Sequence, residues 1–567
     1  MQQLKKTESI LPMRQNRVPA MNTADLLVKC LENENVKYIF GIPGEENLDL
    51  IHAIRHSSIR FILTRHEQGA AFMADMYGRL TGNAGVCLST LGPGATNLVT
   101  GIADANLDGS PVVAITGQVG TDKMHITSHQ YLDLVEMFEP ITKRSKQIVR
   151  PDTVTEIVRL AFKYAESEKP GAVHVDLPEN IARMPVVGRP LQKACPQEGA
   201  AESATVCAAA AIIGRAKRPM ILAGSGAVRS HAAAAITEFA DELRIPVVNT
   251  MMAKGIVPCD DRYSLGTVGV PQEGSLTRFL RSVDLMICIG YDLVEYAPNK
   301  WNSDSAIRVI HIGTQAADIN KVYQPEVEVI GEIPNSLFRI LRKTGTPRRG
   351  EPEDALRLKS RSEEERRKYR GDMSFPMKPQ TILSCVREVM GREDILISDV
   401  GAHKIWIARN YNCYRPNTCI ISNGFASMGI AIPGAVAAKL VCPDKKVLAV
   451  TGDGGFMMNM QELETAVRTG LAFVVLIWND GGYGLIKWKE QLRFKKTAYV
   501  DFSNPDFKAL AESMHCRGYR IEKAEDFIPT LRDAFRQKVP SVIDCRVNYG
   551  ENMKLSMHCR AALGSGG

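Results

Sequence analysis

The chain has 567 residues, of which 45% are hydrophobic, 23% charged and 6% aromatic, and a formal net charge of +7. That length exceeds what one hydrophobic core organises and implies about three domains, while so dilute a charge argues against a nucleic-acid or membrane surface. No apolar run is long enough to span a bilayer. The 13 cysteines are scattered without a Cys-x-x-Cys pair, which favours reduced cytoplasmic thiols over a disulfide framework or zinc site.

Residues 1–20 carry Lys5, Lys6, Arg14 and Arg17 but no apolar core, so they read as an N-terminal extension and not a secretory signal. The first block, 21–190, offers strands at Tyr38 to Ile42, Phe61 to Thr64, Val86 to Ser89, Val112 to Thr116 and Val173 to Leu177. Within it, Arg65-His66-Glu67 opens a helix rich in small residues. On physics alone Glu67 is equally a first-turn acid favoured by the helix dipole and a catalytic one. His129-Gln130, taken alone, is polar surface sequence. A polar, alanine-rich linker follows near 191–204. The middle block, 205–345, has strands at Met220 to Ala223, Val247 to Asn249, Leu285 to Gly290, Val309 to Ile312 and Val327 to Ile330. Its Gly224-Ser225-Gly226 is a weak nucleotide signal. Residues 346–378 form a linker whose charged run, Glu351 to Asp372, suits a solvated helix. The third block, 379–550, holds strands at Ile395 to Ser398, Ile420 to Ser422 and Val542 to Val547, and a tail, 551–567, ends in Gly-Ser-Gly-Gly. Strands alternating with helices throughout indicate an α/β protein: three domains with parallel sheets.

Lys446 to Glu490 is the most informative stretch. An apolar run, Val447 to Val450, ends in Gly452-Asp453-Gly454-Gly455. A helix is expected over Met460 to Arg468, stopped by Gly470; a second apolar run, Phe473 to Trp478, ends in Asn479-Asp480-Gly481-Gly482. Strand, helix, strand with a right-handed crossover brings both carboxyl ends to one sheet edge, so Asp453 and Asp480 converge in a crevice. Two carboxylates suit Mg2+, which takes one or two and completes its shell with phosphate and water. The glycines let backbone N–H groups approach an anion. Either Asp-Gly alone is ordinary cap or turn chemistry; the pair joined by one helix points to a metal-diphosphate site.

This segment resembles the metal-diphosphate signature of thiamine diphosphate enzymes. GIPGEENLDL (41–50), STLGPGATNLVTGIADA (89–105), HQYLDLVEMFEPITK (129–143), PGAVHVDLP (170–178) and SNGFASMGIAIPGA (422–435) resemble the acetolactate synthase catalytic subunit. The resemblance implies thiamine diphosphate-binding Pyr and PP domains flanking a Rossmann-like middle domain. It also implies condensation of two pyruvate molecules to 2-acetolactate and carbon dioxide through a hydroxyethyl carbanion on the cofactor. Under it, Glu67 hydrogen-bonds the aminopyrimidine and makes its nitrogen a general base; Asp453, Asp480 and the Gly482 carbonyl hold Mg2+. Met428 props the bent cofactor, Gly401, Ala402, Gly452, Gly454, Gly455 and Tyr483 line it, and either His403 or Lys404 could donate to the diphosphate. Gln130, with His129, stands near the reacting centre, and Leu485, Ile486 and Lys489 form the acceptor wall. A homodimer or homotetramer with sites at the chain interface is implied.

Departures from the family refine this. Ile289 to Tyr296 lacks the Arg-Phe-Asp-Asp-Arg-like run that helps biosynthetic members bind FAD, so the chain resembles the FAD-independent, catabolic type and FAD is expected to be absent. Glu179 stands where biosynthetic members often carry lysine. Lys489 stands where 2-ketobutyrate-preferring enzymes have tryptophan, which favours pyruvate. The rivals are a 2-keto acid decarboxylase, a pyruvate oxidase and a catalytically silent regulatory paralogue. Against the first stands His129-Gln130 in place of a His-His pair; against the second, the lack of a firm FAD site; against the third, the retention of Glu67, Asp453 and Asp480.

Overall fold

Three groups of apolar strands each form a six-stranded, wholly parallel sheet in the computed structural model, which describes residues 21–193, 199–269, 275–345 and 349–555. The extension 1–20, part of the first linker and the last twelve residues of the tail lie outside the described residues. In the first domain the strands are β1 (Tyr38–Gly41), β2 (Arg60–Leu63), β3 (Gly85–Ser89), β4 (Val112–Gln118), β5 (Arg144–Gln147) and β6 (Ala172–Pro178). They lie in the order β2-β1-β3-β4-β6-β5. Every residue of β4 and β6 is buried, as helices on both faces of a parallel sheet require. A short antiparallel pair, Met21–Asn22 with Pro185–Val186, closes the domain.

The middle domain orders β7 (Pro219–Ala223), β8 (Val247–Asn249), β9 (Ser264–Thr267), β10 (Leu285–Ile289), β11 (Arg308–Gly313) and β12 (Val327–Ile330) as β9-β8-β7-β10-β11-β12. That is the doubly wound Rossmann order. The third domain orders β13 (Ile395–Ser398), β14 (Cys419–Ile421), β15 (Val447–Gly452), β16 (Val474–Asn479), β17 (Arg517–Ile521) and β18 (Ser541–Arg546) as β14-β13-β15-β16-β18-β17. This repeats the permutation of the first domain.

Helices α1 (Glu67–Thr81) and α2 (Pro93–Asp108) of the first domain pack on each other, and α1 packs on a third-domain helix. In between come a short helix α3 (Ser225–Arg229) and α4 (Glu353–Lys368), then α5 (Ala402–Asn410), that partner of α1, α6 (Ala431–Val441), α7 (Asp453–Asn459), α8 (Glu462–Thr469) and α9 (Gly484–Phe494). Small residues permit the close approach: a Cβ on Gly101 would stand 2.5 Å from Ala71 Cβ. Phe40, Met76, Ile397, Ala435 and Phe456 therefore share one core across the first and third domains, each large apolar side chain contributing about 1.5–3 kcal/mol.

Two expectations need correction. The helix placed over Met460 to Arg468 is the second of two: α7 begins at Asp453 itself, and the chain bends at Met460 and Gln461 before α8. Gly470 does cap α8, at φ +70°. The charged run is a helix, α4, but not wholly solvated. It buries Ala355 and Leu358, and Lys359 Nζ donates to the Cys259 carbonyl at 2.8 Å.

Candidate active site at the sheet edges

In the third domain the strand order reverses between β13 and β15, and such a switch point is where open α/β sheets bind ligands. Asp399, just past β13, accepts from the backbone of Val400 (2.7 Å), Gly429 (2.9 Å) and Ala431 (3.2 Å). Burial pushes its carboxyl up to about 6. Gly401 and Ala402 follow and start α5. A Cβ on Gly401 would stand 2.8 Å from the His403 ring, and one on Gly452, at the end of β15, 3.6 Å from His403 Nδ1. His403 is buried, and burial drives its pKa down to about 3, so the ring is neutral. Its Nε2 has no hydrogen-bond partner. A buried polar atom left so costs about 1–3 kcal/mol, which a bound acceptor would remove. Lys404 faces away, donating to the Ser422 carbonyl (3.2 Å) and Asn423 Oδ1 (3.1 Å). Of the two candidate donors, His403 stands between the glycines.

Asp453 is the first residue of α7, where the helix dipole favours an anion. Its Oδ1 accepts from Gly454 N at 2.9 Å, and Oδ2 from Gly481 N at 2.7 Å. The β15 and β16 loops thus converge as the crossover requires. Burial, then the charge of Asp453, pushes the Asp480 carboxyl up to about 7. A carboxyl so raised beside a second carboxylate suits a divalent cation. The Gly482 carbonyl accepts from Gly484 N at 3.0 Å, which occupies one of its two lone pairs. Asn504, which carried no sequence signal, donates to Asp453 Oδ2 (2.8 Å) and Asn479 Oδ1 (3.1 Å). Tyr483 packs on Gly454, where a Cβ would meet its ring at 2.8 Å; one on Gly455 would stand 3.0 Å from Asp399 Oδ1. Beside Asp480 lies a cavity of about 980 Å3, bordered by Gly484, Trp488, Asn504 and Tyr549 and lined only by residues between 375 and 553.

The first domain contributes a second cluster. Glu67, the first residue of α1 and 8% exposed, accepts from Asn97 Nδ2 at 3.0 Å. His66 caps the same helix, its Nδ1 accepting from Gln68 N at 3.0 Å. A Cβ on Gly94 would lie 3.4 Å from Glu67 Oε1, and one on Gly92 2.9 Å from Gln130 Cβ. Glu67 and Gln130 therefore both flank the start of α2, with His129 and Gln130 exposed. Sequence reasoning missed Glu462 of α8. This buried carboxylate accepts from Arg65 N (3.1 Å) and His66 N (3.0 Å), and burial pushes it up to about 7.

Met428 is partly exposed in the loop between β14 and α6. The residues expected to form the acceptor wall, Leu485, Ile486 and Lys489, all lie on α9. Leu485 packs against the third-domain core near buried Trp488, whereas Ile486 and Lys489 are exposed. In the middle domain, buried Glu295 accepts from Ser225 N (2.9 Å), Ser225 Oγ (2.8 Å) and Thr250 Oγ1 (2.5 Å). It fills the switch point of the Rossmann order, at the start of α3.

Residues 21–137, 206–340 and 399–545 match the families described as thiamine pyrophosphate enzyme, N-terminal TPP binding domain, central domain, and C-terminal TPP binding domain. Among curated relatives, the chain is 38% identical to a catabolic acetolactate synthase of Raoultella terrigena, over 93% of this chain and 95% of that one. It is 35% identical to an acetolactate synthase of Bacillus subtilis (strain 168), over 94% of each. A probable acetolactate synthase large subunit of Methanocaldococcus jannaschii is 33% identical, over 94% of this chain and 93% of the relative.

Proposed function

Since the chain belongs to the acetolactate synthase family of thiamine pyrophosphate enzymes, we propose that it condenses two pyruvate molecules to 2-acetolactate and carbon dioxide, using thiamine diphosphate and Mg2+. The observation that carries the reading is the convergence, at one switch point, of Asp453, Asp480 and the unpartnered Nε2 of His403. Asp453, Asp480 and the Gly482 carbonyl hold Mg2+. Gly401, Ala402, Gly452, Gly454 and Gly455 leave room for the diphosphate, to which His403 Nε2–H donates. Met428 and Tyr483 flank the cofactor. When bound, thiamine diphosphate supplies the nucleophilic carbon and the electron sink.

The chain's own residues then orient and protonate. Glu67, buried at a helix start, holds a proton at a pyrimidine ring nitrogen, a general acid–base role worth about 10²–10⁴-fold in rate. Gln130, which also flanks the start of α2, orients the second keto acid together with His129. Ile486 and Lys489 bound the acceptor side, and a charged stem there fits pyruvate better than a larger acceptor. Glu67 is not in the wall of the cavity beside Asp480, which supports a homodimer or homotetramer in which Glu67 of one protomer serves the diphosphate site of its partner. Glu295 occupies the middle-domain crevice with its own carboxylate, which supports a flavin-free enzyme. No helix among the described residues is long and apolar enough to cross a membrane, and the scattered thiols support a cytoplasmic location.

Product analysis with pyruvate, thiamine diphosphate and Mg2+, with no flavin added, tests the proposal. Acetolactate, seen as acetoin after acid treatment, is expected. Acetaldehyde would make the protein a decarboxylase, and release of no carbon dioxide a silent paralogue or an enzyme for another keto acid.

A further inference from the structure

The loop from Ser422 to Gly429 carries Met428, yet its hydrogen bonds run largely to another domain. Asp108, the last residue of α2, accepts through Oδ1 from Gly424 N (2.6 Å) and Phe425 N (3.2 Å), and through Oδ2 from Asn423 N (3.3 Å). Three successive backbone amides around one carboxylate form an anion nest. One turn earlier on α2, Asp104 accepts from Ser422 Oγ at 3.0 Å and Ser427 N at 3.1 Å. Arg79 of α1 contacts both: its Nη2 lies 2.7 Å from Asp108 Oδ2 and 3.1 Å from Asp104 Oδ2, while Nε donates to Asp75 at 2.8 Å. The carboxylates are buried, Asp104 at 0% and Asp108 at 4% exposure.

The fit is close. A Cβ on Gly424 would stand 2.5 Å from Asp108 Oδ1, and Ala426 is held at φ +60°, which a non-glycine residue adopts only when its surroundings impose it. At the far end of the loop, Asp399 takes the amides of Gly429 and Ala431. Met428 is thus fixed from both sides. The same helix α2 begins beside Glu67 and Gln130 and ends at the nest, so one rigid element of 16 residues spans the first-domain cluster and the third-domain loop.

We propose that Asp108 and Asp104 are positioning residues for the condensation, fixing the 422–428 loop so that Met428 stands at the height the reaction needs. This rests on the role given to Met428 above. Asp108→Asn keeps the shape but removes the charge that three amides and Arg79 share; Ser422→Ala removes one hydrogen bond to Asp104 and leaves the nest intact. Amide hydrogen exchange of the cofactor-free enzyme gives a readout independent of activity. For D108N, exchange at residues 423–427 is expected to rise about tenfold or more while α1 and α6 keep their protection. Turnover is expected to fall roughly 10- to 100-fold, the scale of a misplacement near 1 Å, with KM for pyruvate little changed; S422A should shift both readouts in the same direction, less.

Unchanged loop exchange in both variants would overturn the proposal, as would faster exchange with turnover intact. If D108N does not fold, S422A decides by the same two readouts. If the wild-type protein forms no acetolactate, the functional reading fails; thiamine diphosphate binding by calorimetry then decides, weaker binding by D108N supporting the positioning role and equal binding refuting it.

Discussion

Replacing Asp480 by asparagine is expected to stabilise the metal-free protein and to abolish its response to Mg2+ and thiamine diphosphate. Burial and the neighbouring charge of Asp453 raise the Asp480 carboxyl from an ordinary 3.8 to about 7. A folded-state pKa above the unfolded value means that stability is present at low pH and lost as pH rises from 3.8 to about 7, so at pH 8 the full penalty applies. The interval corresponds to ~4 kcal/mol; since the side chain is partly exposed, about 2 kcal/mol is the working figure. Asparagine keeps the shape without the charge. Chemical denaturation at pH 8 after chelation should show the variant about 2 kcal/mol more stable than the wild type. Adding Mg2+ and thiamine diphosphate should reverse the ranking, because only the wild type gains by mass action. A variant no more stable than the wild type when stripped, or stabilised equally by the loaded cofactor, would refute the reasoning.

Further outcomes follow from other sites. Glu67→Gln keeps the contact with Asn97 but cannot hold the same proton; turnover and cofactor proton exchange should fall together by about 10²-fold or more, and an unimpaired variant would remove Glu67 from the mechanism. Burial raises Glu462 from 4.5 to about 7, so stability should decline as pH rises through that interval by up to ~3 kcal/mol. Glu462→Gln should flatten that slope in pH-dependent denaturation, and an unchanged slope would contradict the assignment. The purified protein should lack flavin absorbance, since Glu295 fills the middle-domain crevice; stoichiometric bound flavin would refute this.

The sequence made the apolar, interior strands legible because a strand buried on both faces has no alternative composition. Val447 to Val450 and Phe473 to Trp478 gave the crossover, and the crossover gave the convergence of Asp453 and Asp480. The missed strands are instructive. Arg144–Gln147, Ser264–Thr267 and Arg517–Ile521 are each an edge of their sheet, half-solvated and free to be polar, so hydrophobic pattern could not mark them. Glu462 and Asn504 were missed for another reason. Each acts on partners distant in the chain, Glu462 on Arg65 and Asn504 on Asp453, and nothing local distinguishes them from surface polar residues. Nor could local sequence tell that His403 lies toward Gly452 and Lys404 toward Asn423, a difference set by tertiary packing.

The polarity of those edge strands bears on how the chain survives its own folding. Parallel sheets close through long crossovers and form slowly, and a partly folded sheet with a bare apolar edge is a template for pairing with another chain. Two of the three missed edges carry cations: Arg144 and Lys146 on β5, Arg517 and Arg520 on β17. A second chain docking there in register would bring like charges together. The residues that hide these strands from pattern recognition also keep unfinished sheets from joining to one another during assembly.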